Sequence, residues 1–452
     1  MVDAEQSPGR GAAGDPVADN ALSAVAVPGL AQGTAIVGAT GMPKVSASFI
    51  WLLVLSTFGL YLAFIAPVGI SLAVRVEQLD PQHPEYLGYI IGVGSIVALV
   101  SIPLVGVISD GTRSRLGRRR PFILIGSLIG FASLIVMASA PSIAVLGVGW
   151  ALAQLGFGNA LTGLVNVTAD RLPESQRGRV SGFTGFVQLV APVVGVGLAA
   201  GFVTNNFLLF LVPGLIGVAL GLVFVVFARG DDARGLAPAA RLSWKSVLPK
   251  YVFDPRQYPA FAWNWLGRFL VYFALSLSTT FTTFYFAQRA GTTIAEIAGL
   301  FAIASIAGIG AAAIGALGGG ILSDRLHRRR IFVLIACVIF AAGAVILALA
   351  PDMTVVIIGF VVINLGTGIF SAVDQAIVLD ILPERDVNAG RFVGINQLAL
   401  QIGQSVAPIT APAFLLIGAT GGQQNYGVLF LLAAVCTVAG GSIIFVKVTG
   451  SQ

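Results

Sequence analysis

The sequence predicts an all-α integral membrane protein with twelve transmembrane helices arranged as two similar six-helix halves. Of the 452 residues, 56% are hydrophobic and 10% are charged, whereas soluble domains carry about 25% charged residues. Twelve apolar runs are each long enough for a helix that crosses about 30 Å of hydrocarbon, which takes roughly 20 residues. Polar motifs also recur 210 to 216 positions apart, which indicates that the last six spans repeat the first six.

The predicted elements follow in order along the chain. Residues 1–43 are rich in Ala, Gly, Pro and Asp without a sustained period, which predicts a disordered cytoplasmic tail and not a secretory signal. The N-terminal half, residues 44–228, contains spans 1 to 6 at Ala47–Val74, Gly88–Ser109, Pro121–Ala140, Ile143–Val167, Val180–Val203 and Phe207–Ala228. Residues 229–257 form a charged cytoplasmic linker. The C-terminal half, residues 258–452, contains spans 7 to 12 at Tyr258–Gln288, Ile297–Leu322, Ile331–Ala350, Thr354–Leu379, Phe392–Ile417 and Tyr426–Lys447.

The basic residues orient these spans. With both termini in the cytoplasm, 23 of the 26 Lys and Arg residues fall in cytoplasmic links, tails or span ends, and the exceptions are Arg75, Arg268 and Arg289. This is the positive-inside distribution, and it accounts for the net charge of +6 without a nucleic-acid partner. Cys337 and Cys436 both lie in apolar spans, which argues against a disulfide framework.

The most informative stretch is the link between spans 2 and 3, from Gly106 to Pro121. It carries Asp110. Three residues later, five arginines begin within a run of eight residues, namely Arg113, Arg115, Arg118, Arg119 and Arg120. A weaker copy follows span 8, with Gly320, Asp324, Arg325, His327, Arg328, Arg329 and Arg330. The repeat continues after spans 4 and 10, where Asp170 to Glu174 matches Asp380 to Glu384, and Gly178-Arg179 matches Gly390-Arg391. Two halves in the same orientation are the parallel repeat of transporters.

Twelve spans, a duplicated half and this repeated link resemble the major facilitator superfamily over about residues 46–447. The superfamily's link has a Gly, an Asp four residues later, and then Arg, Gly and basic residues. Gly106, Asp110, Arg115, Gly117, Arg118 and Arg119 match it, with four extra residues after the Asp. The longer form, which ends Gly-Arg-Arg-Arg-Pro-Phe, is similar to the sucrose–proton symporters and the glycoside–pentoside–hexuronide cation symporters near them. The resemblance implies a monomeric carrier in the cell membrane.

The resemblance also implies that the link is a cytoplasmic gate. An ionised Asp110 at a helix end is expected to pair with arginines and with a neighbouring helix dipole, and such contacts are expected only while the cytoplasmic side is closed. The predicted gate residues are Gly106, Asp110, Arg115, Gly117, Arg118, Arg119, Asp170, Glu174, Arg177, Asp324, Arg325, Arg328, Asp380, Glu384 and Arg391. The alternative is that the arginines only set the topology.

Two charged residues lie well inside predicted spans, Arg268 in span 7 and Asp374 in span 10. Charges at this depth are costly and are usually functional or paired. The two depths differ by roughly 6 Å at 1.5 Å per residue, which is within reach of an arginine side chain. We expect them to pair or to bracket one substrate, facing the gap between the halves, with Asp374 as the carrier of a proton. The alternative is a static ion pair that joins two helices.

Polar side chains form stripes at helical spacing on several spans, which indicates a polar cavity for a hydroxyl-rich solute. The alternative for each residue is hydrogen bonding between helices. Together with Arg268 and Asp374, the predicted coupling and cavity residues are Asn159, Asn166, Gln188, Asn264, Tyr272, Asn364, Ser371, Gln375, Gln397, Gln401 and Gln404. Tyr272 is also a candidate for packing against a sugar ring.

These residues bear on three candidate functions. The first is a secondary active transporter that imports a sugar or glycoside with protons. The sodium-coupled glycoside symporters near the similar carriers have acids in span 1, whereas this chain has none between Ser46 and Val74, so the resemblance does not imply sodium coupling. The second is a proton-antiport exporter of small amphipathic solutes, because Ala191-Pro192 and Gly195 in span 5 resemble part of a Gly/Pro motif of antiporters, without its preceding glycine spacing. An enzyme is disfavoured because the chain has two histidines, both in links, and no metal-protease or serine-hydrolase motif. No cofactor or metal is expected.

Overall fold

The computed structural model describes residues 44–228, 233–234, 253–383, 389–417 and 424–448. Eleven described helices are long and apolar enough to span a membrane, and a bent pair supplies the twelfth span. Spans 1 to 6 are Ala47–Leu79, Tyr86–Gly111, Arg120–Ala138, Ile143–Arg171, Glu174–Ala200 and Asn206–Phe227. Span 7 consists of Pro259–Thr280 and Thr282–Ala290, bent by 41°, and spans 8 to 12 are Ile294–Leu326, Arg329–Leu349, Met353–Asp380, Ala389–Leu415 and Tyr426–Lys447. The predicted fold class is confirmed, while the predicted tail 1–43 and most of the linker 229–257 lie outside the described residues.

Small polar residues begin several of these helices. A side-chain oxygen of the residue before each helix accepts a hydrogen bond from a backbone N–H of the first turn, which satisfies a donor that has no partner within the helix. Thr293 and Glu296 form a complete capping box at the start of span 8. The other side-chain caps are Ser46, Ser142, Asn205 and Asp352. Ser142 and Asp352 begin spans 4 and 10, so the two halves start the same helix in the same way.

The outer surface of the bundle is apolar. Large aliphatic side chains such as Ile314, Leu349 and Val435 are 66–71% exposed. Soluble proteins rarely expose contiguous apolar surface on this scale, whereas lipid chains solvate it. The helical bundle is therefore built for a bilayer.

The two halves have the same internal packing. A Cβ added to Gly59 of span 1 would lie 3.1 Å from the carbonyl oxygen of Gly217 in span 6. A Cβ added to Gly267 of span 7 would lie 2.8 Å from the carbonyl oxygen of Gly440 in span 12. Spans 1 and 6 therefore touch backbone to backbone as spans 7 and 12 do, a close approach that small residues permit in membranes.

The halves meet through spans 2 and 11 and through spans 5 and 8. We call the end of the bundle that carries Arg113–Arg120 and Arg325–Arg330 the arginine-rich end, and the opposite end the far end. At the far end, a Cβ on Gly88 would lie 2.3 Å from the carbonyl oxygen of Pro408. The Thr283 hydroxyl donates to the carbonyl oxygen of Gly69 across the same boundary, at 3.1 Å.

Two glutamates also join the halves at the far end. Both carboxylate oxygens of Glu77 accept from the Ile294 backbone N–H, at 3.2 and 3.0 Å, where span 8 begins. The Gln424 amide donates to Glu85 at 3.2 Å. A carboxylate at a helix N-terminus interacts favourably with the helix dipole as well as with the N–H group. We call this set of contacts between the halves the far-end seam.

Candidate functional site

A cavity of about 440 Å³ lies between the halves, beside the far-end seam. It is lined by spans 1, 2, 4 and 5 of the first half and by spans 7, 8, 10 and 11 of the second. Its volume is in the range of sites for small molecules, about 300–1,000 Å³. The lining is polar on the second half and more aromatic on the first. A solute held there would contact both halves.

Four of the predicted cavity residues line this cavity: Asn364 and Ser371 on span 10, and Gln401 and Gln404 on span 11. The others lie outside its lining, namely Asn159, Asn166, Gln188, Asn264, Arg268, Tyr272, Asp374, Gln375 and Gln397. Asn159 shows the reason, because its amide donates to Ser101 of span 2 at 3.2 Å and to its own helix. A polar stripe identifies one face of a helix, and on span 4 that face is turned to a neighbouring helix.

Arg268 and Asp374 form a buried ion pair. The Nη1 atom of Arg268 lies 3.2 Å from the Oδ2 atom of Asp374, and each side chain is 1% exposed. The second terminal nitrogen of Arg268, Nη2, donates to the Gln397 side-chain oxygen at 3.3 Å. The guanidinium also lies 5.4 Å from the centre of the Tyr272 ring, within the range of a cation–π contact. Spans 7, 10 and 11 are thus joined inside one half.

The position of this pair differs from the expectation that it faces the gap between the halves. Val271 and Tyr272, one turn after Arg268, and Val373, next to Asp374, belong to an apolar cluster with Cys337 of span 9 and Ile444 of span 12. The pair therefore lies inside the second half. Its helices still form the cavity wall, because Ser276 of span 7 and Ser371 of span 10 line the cavity one or two turns away.

At the arginine-rich end, Arg119 holds spans 2 and 4 together. It lies 2.5 Å from Asp110 at the end of span 2 and 2.8 Å from Asp170 in span 4, and Arg118 lies 3.2 Å from Asp170. Burial lowers the pKa of Arg119, but the Asp170 and Asp110 carboxylates outweigh it, so the pKa of Arg119 is raised. Arg119 therefore keeps its positive charge between the two carboxylates.

The second half repeats this arrangement through Arg329. This residue lies 2.9 Å from Asp324 and 2.7 Å from Asp380. Arg329 is absent from the predicted gate, although Arg119 and Arg329 stand 210 positions apart, as Asp170 and Asp380 do. The four extra residues in the first link conceal this correspondence, and only the offset between the two links could have revealed it.

The next arginine in each link caps a helix. Arg120 donates to the carbonyl oxygens of Val225 and Ala228 at the end of span 6. Arg330 donates to the Val448 carbonyl oxygen at the end of span 12, at 2.8 Å. The free carbonyls at a helix C-terminus favour such cations. Neither residue was among the predicted gate residues.

The expectation that the gate contacts form only when the arginine-rich end is closed stays a prediction. Each described ion pair at the arginine-rich end joins segments of the same half, and it forms here while the far-end seam is closed. Arg177 likewise bonds to carbonyl oxygens of Leu172 and Ala169 in its own half. The pairs therefore hold each half together and do not bridge the two.

The remaining gate residues take various positions. Gly117 has a φ of 89°, the left-handed conformation that glycine adopts easily. A Cβ on Gly106 would meet nothing within 4 Å. Arg391 lies over the Phe392 ring, and Arg115, Arg325 and Arg328 are exposed. The Glu174 side chain and all of Glu384 lie outside the described residues.

The aromatic wall of the cavity was not predicted from the sequence. Tyr61 and Phe64 of span 1 and Trp150 of span 4 line it, together with Gln154. Phe64 and Trp150 stack with centroids 5.5 Å apart and an interplanar angle of 12°. Single aromatic residues in apolar spans carry no sequence signal that separates a cavity wall from a packed core.

Comparison with known proteins identifies the fold's relatives. The profile of the Major Facilitator Superfamily matches residues 53–318 and 309–451. The human proton myo-inositol cotransporter is 35% identical over 130 residues, which is 29% of this chain and 19% of that protein. The galactose-proton symporter of Escherichia coli K12 is 33% identical over 108 residues, 24% of this chain and 23% of its own length. The chain thus matches less than a quarter of either relative.

Solved structures share the whole fold at low identity. The nucleoside transporter NupG aligns with a TM-score of 0.71 at 13% identity, over 89% of this chain and 99% of its own. A bacterial homolog of the lysosomal transporter Spinster aligns with a TM-score of 0.67 at 16% identity, over 90% of this chain and 98% of its own. At such identities the likeness supports the fold alone.

Proposed function

Because the chain belongs to the major facilitator superfamily, it is a membrane transporter and not an enzyme, and we propose that it takes up a sugar or glycoside together with protons. The sugar-proton symporters among its relatives support this substrate class and this coupling ion. An α-glucoside permease of Schizosaccharomyces pombe, 32% identical over 108 residues, adds a glycoside carrier. We place the protein in the cell membrane and infer that one chain suffices, because both halves of the cavity belong to it.

The direction of the spans follows from the basic residues. The positive-inside rule places the arginine-rich end in the cytoplasm, so the far-end seam faces the outside. A cavity sealed by that seam corresponds to the inward-facing state of an alternating-access carrier. In the opposite state the seam opens and the arginine-rich ends of the two halves approach each other.

The observation that carries the proposal is the buried Arg268–Asp374 pair. The two-fold repeat places leucines, Leu60 and Leu164, at the corresponding positions of the first half, where they are 0% and 2% exposed. The fold therefore packs well at this site without charges. Buried ion pairs are expensive and are weak contributors to stability, which favours a role in transport for this one.

Proton binding to Asp374 would change the pair in a definite way. A neutral carboxyl no longer balances the guanidinium of Arg268, which then relies on Gln397 and the Tyr272 ring. Spans 7 and 10 would shift relative to each other to relieve the unpaired charge, and both carry cavity residues. The proton and the solute would then bias the same helices, which is the physical requirement for coupling.

Uptake into proteoliposomes tests this proposal. The panel consists of galactose, glucose, maltose and myo-inositol, with and without an inside-alkaline pH gradient. We expect the gradient to drive accumulation of at least one sugar by the native chain. In Asp374→Asn, accumulation should fall to the equilibrium level while exchange of labelled for unlabelled sugar persists.

Asp352→Asn is the matched control, because asparagine also caps span 10 and Asp352 lies at the exposed far end. It should accumulate sugar as the native chain does. Full accumulation by Asp374→Asn would remove the proposed proton site. Inverted vesicles test the direction of transport. If the gradient moves solutes only from the cytoplasmic side to the outside, the export hypothesis replaces import.

A further inference from the structure

The central cavity contains no formal charge. Its lining, all of it described, has no Asp, Glu, Lys, Arg or His side chain. A charged solute would leave most of its hydration there and meet no counter-ion, which costs several kcal/mol for an unpaired buried charge. The chemistry of the lining therefore favours an uncharged solute.

The hydroxyl groups of the lining are nearly all used as donors already. Eight of the nine serine and threonine hydroxyls in the lining donate to backbone carbonyl oxygens. The Thr280 hydroxyl, for example, donates to the Ser276 carbonyl at 2.8 Å and the Ser305 hydroxyl to that of Phe301 at 2.7 Å. A carbonyl oxygen cannot donate, so each of these hydroxyl protons is already bonded and each hydroxyl oxygen keeps only its acceptor lone pairs.

Fewer donors than acceptors remain. On the first half, the Tyr61 hydroxyl and the Trp150 indole N–H have no hydrogen-bond partner among the described residues. The side-chain amide of Asn364 donates one N–H group to the Phe360 carbonyl oxygen at 2.9 Å, and its own oxygen remains available as an acceptor. The amides of Gln154 and Gln404 stand on opposite halves of the lining and supply donors and acceptors equally. The wall of the second half therefore has more free acceptors than free donors.

The first half supplies an apolar surface opposite these groups. Phe64 and Trp150 stack there at 5.5 Å, and Tyr61 completes the aromatic wall. Aromatic rings pack well against the C–H faces of sugar rings. A ligand suited to both walls has one apolar face and several outward hydroxyl groups.

We propose that this cavity selects uncharged ligands by the number of O–H groups that they donate, so that it accepts a neutral sugar or polyol and rejects sugar acids, sugar phosphates and amino sugars. The inference rests on the proposed function and sharpens it, because it excludes the hexuronides that some similar carriers transport. Recognition works through ligand hydroxyls that donate to Ser, Thr and Asn oxygens of the second half.

Ligand pairs that differ in charge give the first test. Calorimetric binding to the purified full-length chain compares glucose with glucuronate and glucosamine, and galactose with galacturonate. We expect each charged partner to bind at least about a hundredfold more weakly than its neutral parent. Equal binding of a parent and its uronate would overturn the inference and leave sugar transport intact.

Fluorinated sugars give the second test. A fluorine atom resembles a hydroxyl oxygen in size but cannot donate, so an acceptor-rich site should treat the 3-deoxy-3-fluoro sugar as it treats the 3-deoxy sugar. Both should lose about tenfold in affinity relative to the parent, which is the contribution of about one hydrogen bond. Retention of parent affinity by the fluoro sugar would show that the site donates, contrary to the inference.

An isosteric charge in the lining gives the third test and locates the ligand. Gln404→Glu places a carboxylate in the cavity, and it should bind glucosamine at least about tenfold more tightly than the native chain does. Gln82→Glu, at an exposed position of the link between spans 1 and 2, is the control and should change nothing. An equal gain in both variants, or none in either, would contradict this assignment of the site.

The outcomes separate the two levels of proposal. If the native chain neither binds nor accumulates any neutral sugar, but moves an amphipathic cation, both the proposed function and this inference fail. If neutral sugars accumulate while fluoro sugars or uronates bind like their parents, only the inference fails.

Discussion

The two halves of the molecule share one framework and differ in what they bury. The Gly59–Gly217 contact corresponds to the Gly267–Gly440 contact, so Leu60, after Gly59, corresponds to Arg268, after Gly267. Asp170 and Asp380 pair with equivalent arginines, and the residues six positions earlier are Leu164 and Asp374. A leucine pair in one half thus stands where the other half has an ion pair.

This difference separates the residues that hold each half together from the residues that serve transport. The features that both halves keep are close helix contacts and the ion pairs at the arginine-rich end, and these hold six helices together. The features of one half only are the Arg268–Asp374 pair and the hydroxyl-rich wall. The same helix packing forms in both halves although the buried residues differ. We infer that the features found in one half only, the Arg268–Asp374 pair and the hydroxyl-rich wall, serve transport.

The largest expected effect comes from making the second half resemble the first at this site. Asp374→Leu leaves the Arg268 charge buried and unpaired, which should destabilise the fold by about 3–5 kcal/mol. The double variant Arg268→Leu with Asp374→Leu should recover most of that loss, because it copies the leucine pair of the first half. Unfolding in mixed micelles, followed by tryptophan fluorescence, measures both changes.

The same variants test the transport role. We expect the double variant to fold and to bind sugar but to accumulate none against a pH gradient. Recovery of stability without recovery of accumulation separates the two roles of the pair. If the double variant is no more stable than Asp374→Leu, the correspondence with Leu60 and Leu164 is wrong.

Most of the fold could be predicted from the sequence, because the length of an apolar span and the residues of a repeated motif are local properties of the chain. Spans, repeat and the acid–arginine link were all visible in that way. The partner of Asp110 was predicted only as one of several link arginines, since an ion pair depends on how the link folds. Arg119 takes that role, and Arg329 takes it in the second half.

The site was less readable, because it depends on which neighbour each helix face meets. The polar stripe on span 10 lines the cavity through Asn364 and Ser371, whereas Asn159 on span 4 bonds to span 2. Helical spacing predicts both stripes equally and cannot separate them. The Glu77 contact joins residues 217 positions apart, and nothing local in the sequence indicates it.

The second prediction compares the two arginine clusters. Arg119→Ala should cost about 1–2 kcal/mol of stability, because Arg119 is 10% exposed and serves both Asp110 and Asp170. Arg329→Ala should cost about 0.5–1 kcal/mol, since Arg329 is 26% exposed and Asp324 is 46% exposed. The same unfolding assay ranks them, with the exposed Arg115→Ala as a control near zero. The reverse ranking would mean that burial does not decide the strength of these clusters.

The third prediction concerns the far-end seam, where the first half supplies a carboxylate and the second a helix N-terminus. Glu77→Gln removes the charge at the start of span 8, an effect of about 0.5–1 kcal/mol. The population with an open seam should therefore rise about two- to fivefold. Spin labels at Pro81 and Thr292, in a background without native cysteines, report the distance across the seam.

Glu296→Gln is the control for this third prediction, because its carboxylate caps its own helix at the Thr293 N–H, at 3.2 Å. It should leave the distance distribution unchanged. An identical shift in both variants would mean that the seam depends on the start of span 8 and not on Glu77.

The smallest expected effect concerns a position where the two halves bury different small side chains, Ser127 in span 3 and Cys337 in span 9. Ser127 of span 3 donates to the Ile123 carbonyl at 2.6 Å, and Cys337 occupies the equivalent position of span 9, four residues after Val333. Cys337→Ser gives the new hydroxyl the same backbone acceptor, so the loss of stability should stay below about 1 kcal/mol. Cys337→Leu should cost about 1–3 kcal/mol, because a Cβ on Gly441 would already lie 2.7 Å from the Cys337 sulfur. A serine cost as large as the leucine cost would show that the two halves are not interchangeable even where they bury no charge.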